Sequence, residues 1–103
     1  MKNADKAFDA LGEPMRRIIF EKLKARPLAV GAIAKGLPIS RPAVSQHLKV
    51  LREAKLITIE QVGTQNLCQI DPNGLLAMRA YLDNFWDVTL AAFKSAVEKE
   101  SKK

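Results

Sequence analysis

Between Leu28 and Gly63 the spacing of the apolar residues changes period, and few folds accommodate that change. Val30, Ile33, Ala34 and Leu37 stand at i, i+3, i+4 and i+7, a short helix interrupted by Gly36 and Pro38. Ser40 is placed to cap a second helix, whose Val44, Leu48 and Leu51 form one apolar stripe. After Lys55 the period drops to two. Ile57 and Ile59 alternate with Thr58 and Glu60, Gly63 supplies a turn, and Leu67 to Ile70 returns as a second strand. The order is helix, tight turn, helix, β-hairpin. The helix after the turn carries Arg41, Pro42, Ser45, Gln46 and Lys49 opposite its apolar stripe, with His47 at the border. Such a face suits a DNA groove: Arg41 can take a guanine edge bidentately, Gln46 an adenine edge, and Ser45 a base or a phosphate.

The flanks divide as cleanly. Asn3 is placed to cap a first helix carrying Ala4, Ala7, Phe8 and Leu11, and Gly12 to end it as a C-terminal cap. Pro14 suits the first position of a second helix, with Met15, Ile18, Ile19 and Leu23 at core spacing and Pro27 just past its end. Asp71 and Pro72 open a final helix that runs to about Lys99, roughly 40 Å at 1.5 Å per residue. The fold class is mainly α with a β-hairpin. The 103 residues make a single domain, 1–103, with its DNA-facing helix at about 40–54, its hairpin at about 57–70 and its last helix at about 72–99.

Charge supports the groove reading. The chain carries a formal +6, but from Pro14 to Lys55 ten basic residues face only Glu21 and Glu53. A basic block confined to one folded segment is what phosphate binding needs, since each neutralised phosphate releases counterions. The plain alternative is a solvated surface, although surface charges normally mix signs over such a length. No apolar run approaches the roughly 20 residues of a membrane span, and the residues after Met1 carry no secretory pattern, so a cytoplasmic protein is expected. The lone Cys68 cannot form an internal disulfide.

The last helix is too apolar for a solitary surface element. Leu75, Leu82, Trp86, Thr89, Phe93 and Val97 form one stripe, and Tyr81, Phe85, Val88 and Ala92 a neighbouring one. One stripe is expected to cover the domain and the other to meet a second copy of the chain, and the sequence leaves open which does which.

Leu11, Glu13, Pro14, Arg16 and Arg17, followed by Ile19 and Leu23, then Ser40 with Ala43, Val44, Ser45, His47, Leu48, Leu51, Glu53, Ala54 and Leu56, resemble the ArsR family of bacterial winged-helix repressors. The run Ser40 to Ile57 is the most specific piece, and Phe85, Trp86, Asp87 and Phe93 resemble the metal-free, SdpR-like branch. The resemblance implies a winged helix-turn-helix fold. It also implies a homodimer paired through its first and last helices, which assigns Phe8, Leu11, Tyr81, Leu82, Phe85, Trp86, Thr89 and Phe93 to the interface. The implied target is an imperfect inverted repeat in double-stranded DNA, probed by Ser40, Arg41, Pro42, Ser45, Gln46, His47 and Lys49 and by Thr64 and Gln65 of the wing. Many relatives carry Arg at the wing tip. Here Thr64, Gln65 and Asn66 follow Gly63, so a smaller contribution from the wing is expected.

Metal-sensing relatives place Cys-x-Cys on the third helix, where this chain has Ala29 and Gly31. Others build a zinc site across the last helices from Asp, two His and Glu, whereas the one histidine here is His47. No metal and no cofactor are expected. Cys68 lies in a strand beside Ile70, where a small buried residue is the simpler role and a thiol sensor the alternative. No glycine-rich phosphate loop or nucleophile–histidine pairing suggests an enzyme. Three readings remain: a sequence-specific repressor acting on its own promoter, a regulator controlled by a protein partner that relieves repression, and a basic nucleoid-type protein. The set Arg41, Ser45 and Gln46 favours the first, because non-specific binders need no base-edge chemistry.

Overall fold

The computed structural model describes residues 2–101. Five helices and three short strands follow in the order α1 (Lys2–Gly12), α2 (Pro14–Lys22), β1 (Leu28–Ala29), α3 (Val30–Lys35), α4 (Arg41–Glu53), β2 (Ile57–Val62), β3 (Gln65–Ile70) and α5 (Pro72–Ser101). The helix pair and hairpin read from the period change are therefore α3, α4 and β2–β3, a helix-turn-helix followed by a wing.

Local chemistry sets most boundaries. Ser40 caps α4 by accepting a hydrogen bond from the Ala43 N–H at 3.2 Å, and Asp71 Oδ1 accepts from the Asn73 N–H at 3.0 Å at the head of α5. Glu13 caps α2, its Oε2 accepting from the Arg16 N–H at 2.8 Å, with Pro14 in the first turn, where its missing N–H costs nothing. The wing turns on Gly63 at φ 63, with Val62 paired to Gln65, a two-residue loop whose leading residue must tolerate positive φ.

Two boundary expectations need correction. The chain is already helical at Lys2, so Asn3 lies within the first turn of α1 and is not its cap. Gly12 is the last residue of α1 and does not take a left-handed φ. The end of that helix is closed from outside: Arg16 Nε donates to the Ala10 carbonyl at 2.7 Å and Arg17 Nη1 to that of Leu11 at 2.8 Å. Cationic donors on terminal carbonyls satisfy acceptors that no intrahelical N–H can reach.

The sequence reading also missed β1. Leu28 pairs with Cys68 and Ala29 with Leu67, which makes β3 the centre of a three-stranded antiparallel sheet in the order β1-β3-β2. That pairing ties the start of α3 to the wing. Ile19, Ile33, Val44, Leu48, Leu51, Leu56, Ile57 and Cys68 are fully buried in one cluster. The buried face of α1 is made of Ala4, Ala7 and Ala10, with Phe8 and Leu11 half-covered.

The helix α5 departs from expectation most. Its root is anchored: the Asp71 N–H donates to the Leu56 carbonyl at 2.9 Å and the Gly74 N–H to that of Lys55 at 2.7 Å. Phe8 and Tyr81 meet edge to face with ring centroids 5.6 Å apart. Beyond that contact neither stripe covers the domain. Every residue from Leu82 to Glu100 is exposed, including Phe85, Trp86 and Phe93 at 57%, 54% and 67%. The helix projects as an arm, and the whole molecule with it measures 69 × 24 × 23 Å.

Candidate nucleic-acid interface

Val44, Leu48 and Leu51 hold α4 in place, each at most 1% exposed. Their burial fixes the rotation of the helix and turns Arg41, Pro42, Ser45, Gln46 and Lys49 to the surface. Ser45, Gln46 and Lys49 lie at i, i+1 and i+4, so they share one side of the cylinder. The Ser40 hydroxyl is committed to capping the helix and stands at the edge of this face.

His47 is placed differently from its neighbours. The residue is half-buried and its Nδ1 stands 3.8 Å from Glu13 Oε2, an ion pair when the ring is protonated. The Glu13 carboxyl is held below its ordinary range, chiefly by the backbone hydrogen bond from Arg16, against a smaller opposing effect of desolvation and with His47 adding to the lowering. His47 thereby joins α4 to the head of α2.

Not all of the basic block's guanidinium donors are free for a ligand, although their charges are not neutralised. Arg16 and Arg17 are engaged by the end of α1, whereas Arg41, Lys49 and Arg52 are exposed along α4. Counting charges along the sequence could not separate structural cations from free ones, because the acceptors of Arg16 and Arg17 are backbone carbonyls of a neighbouring helix.

The wing tip does not stand apart from α4. Thr64, Gln65 and Asn66, the start of α3 at residues 29–32 and Arg41 together line a cleft of about 350 Å³. Arg41 reaches back over Gly31, where a Cβ would lie 4.0 Å from each terminal guanidinium nitrogen. Asn66 joins the candidate surface with the rest of the polar wing tip, and Gly31 joins it although its sequence position gave it no DNA-facing role. A glycine one residue into a short helix was the available signal, since that position otherwise favours a better helix former.

Cys68 sits on the middle strand between Leu28 and Ile59, completely buried, and burial pushes its thiol pKa up. The neutral thiol is the favoured form, a poor starting point for oxidation or metal capture.

Comparison with known proteins adds an independent line. The family described as "Helix-turn-helix domain" matches residues 11–60. The HTH-type transcriptional regulator Rv2034 of Mycobacterium tuberculosis is 46% identical over 99 residues, covering 96% of this chain and 92% of that protein. A solved structure of a possible transcriptional regulator for arsenical resistance superposes with a TM-score of 0.72 at 36% identity, over 84% of this chain and 95% of the other. An ArsR-like transcriptional regulator from Rhodococcus sp. RHA1 superposes with a TM-score of 0.77 at 26% identity, over 92% of both chains.

Proposed function

The chain belongs to the ArsR family of winged helix-turn-helix transcriptional regulators, and on that basis we propose that it is a repressor binding an imperfect inverted repeat as a homodimer. In this reading α4 is the recognition helix in the major groove, the β2–β3 wing flanks it, and α1 and α5 pair the two copies. The observation that carries the proposal is the exposed set Ser45, Gln46 and Lys49 on a helix whose other face is fixed by fully buried Val44 and Leu48. Rigid presentation of an amide and a hydroxyl is what base-edge readout requires. Neutralising phosphate alone would need neither.

The regulator is read as cytoplasmic, acting on its own promoter and indifferent to thiophilic metals. Supporting the last point, Ala29 and Gly31 stand where metal-sensing relatives carry thiolates. No group of three or more His, Cys, Asp or Glu side chains gathers among the described residues in a way that could hold an ion. No helix among them is long and apolar enough to cross a membrane.

The test is titration of the DNA upstream of its own gene and of a random duplex of equal length, at several salt concentrations. Gln46→Ala is expected to cost about 1–3 kcal/mol on the upstream DNA and little on the random duplex. Lys49→Ala should weaken both together and lower the salt slope by about 0.9 for each phosphate no longer neutralised, or roughly twice that for a dimer. Equal weakening on both DNAs for Gln46→Ala would reassign Gln46 to the backbone. Wild-type protein that does not distinguish the two duplexes would replace the repressor reading with the nucleoid-type one.

A further inference from the structure

We propose that the cleft between Arg41, the start of α3 and the wing tip seats one backbone phosphate of bound DNA. In this role Arg41 supplies the positive charge that the wing's own tip lacks. The inference deepens the DNA-binding reading above and rests on it.

Three observations converge on the cleft. Its lining holds a single charge, the Arg41 guanidinium, and no carboxylate competes for it. Thr64, Gln65 and Asn66, which line the cleft from the wing, offer a hydroxyl and two amides, neutral groups that can donate to an anion but attract it weakly from a distance. Arg41 lies over Gly31 and lines the same cleft as those groups, although it belongs to the helix whose outer face carries Gln46. A guanidinium meant for the groove floor must extend away from its helix, where base edges lie. One drawn into a cleft that the wing closes faces the wall of the groove, where the sugar–phosphate chain runs.

The glycine at 31 is part of the arrangement. A Cβ there would only touch the guanidinium in ordinary van der Waals contact, but a longer side chain would occupy the ground on which Arg41 rests. The pairing of Ala29 with Leu67 and of Val62 with Gln65 fixes the wing side of the cleft, so α3, α4 and the wing meet the anion as one rigid unit. The fork of Arg41 can then hold two phosphate oxygens in parallel while the amides complete the shell.

The test uses the whole chain and a random-sequence duplex, because a phosphate contact does not depend on sequence. Arg41→Ala should weaken binding roughly tenfold to a hundredfold. It should also reduce the salt slope by about 0.9 for the one phosphate, or about twice that if two copies bind. Adding Gln65→Arg to Arg41→Ala, which puts the cation on the wing side of the cleft, should restore most of the affinity and slope. Adding Gln69→Arg instead places the same charge in an exposed position toward the other end of β3 and should not. Equal recovery from both would mark a generic charge effect and overturn the seat. So would an Arg41→Ala variant that keeps its salt slope and loses only discrimination at one base pair of the upstream DNA, since Arg41 would then read a base. If wild-type protein shows no salt-dependent binding to any duplex, the DNA-binding reading fails and takes the seat with it. Wild-type binding that survives Arg41→Ala unchanged sinks the seat alone.

Discussion

Lys55 and Gly74 sit at one joint, Lys55 in a conformation that its chemistry does not favour in isolation and Gly74 at a close approach that leaves no room for a side chain. Lys55 takes a left-handed φ of 59 just past the end of α4. The reason is hydrogen bonding: its N–H donates to the Arg52 carbonyl and that of Leu56 to the Leu51 carbonyl, both at 3.0 Å, closing the helix in a Schellman pattern. Gly74 presses its backbone against the same turn. A Cβ there would meet the Ala54 and Lys55 carbonyl oxygens and the Leu56 side chain, each at 2.8 Å. Gly74→Ala is therefore expected to destabilise the fold by about 1–3 kcal/mol, despite the better helix propensity of alanine, as the midpoint of urea unfolding would report. Unchanged stability would mean that the joint yields more readily than its backbone contacts suggest. Neither feature was legible in the sequence. A left-handed lysine and a glycine in a first helical turn acquire their meaning from partners on another element.

At the scale of elements, what could be read was what the chain encodes locally. The change from helical spacing to alternation at Lys55 places the hairpin, and Ser40 and Asp71 declare themselves as caps by side-chain chemistry alone. The strand β1 escaped because two residues cannot show an alternation, and its pairing with β3 is long-range. The polar face of α4 was visible as spacing against Val44 and Leu48, whereas the approach of Arg41 to the wing depends on how α3 and the sheet pack. The end of α1 was misread for the same reason, since its closure comes from α2. That closure is open to test: Arg16→Ala should lower stability by about 1–3 kcal/mol, the usual cost of removing hydrogen bonds with a charged donor, while the salt slope of DNA binding stays unchanged. A slope that falls with Arg16→Ala would return this residue to the set that meets phosphate.

For the whole molecule, the outstanding fact is an arm of α5 that buries nothing beyond Tyr81. Thirty residues of helix extend about 45 Å, and the distal part exposes Phe85, Trp86, Val88, Leu90 and Phe93 together. Contiguous apolar surface on that scale marks an association site, and a second copy of the same arm is the partner that the proposed dimer supplies. If Trp86 is buried there, Trp86→Ala should cost about 3–5 kcal/mol per ring and move the protein toward monomer or aggregate. Sedimentation of both forms at micromolar concentration decides the matter, and a monomeric wild type would sink the dimer. The sequence expected one stripe to fold down on the domain. It does not, because the three-alanine face of α1 and the first turns of α5 already complete the body.

The seam between α4 and α5 bears on how such a regulator could diversify. Its hydrogen bonds run from backbone to backbone, Asp71 to Leu56 and Gly74 to Lys55, so no side chain of the DNA-facing surface takes part in it. In a dimer joined by α5, the distance and angle between the two DNA-facing helices, and with them the spacing of the half-sites, would be inherited from that seam. Substitutions at Ser45 or Gln46 could then change which base pairs are preferred while the separation of the half-sites stays as it was. Vocabulary and ruler are kept in different parts of the chain, and each is free to drift without the other.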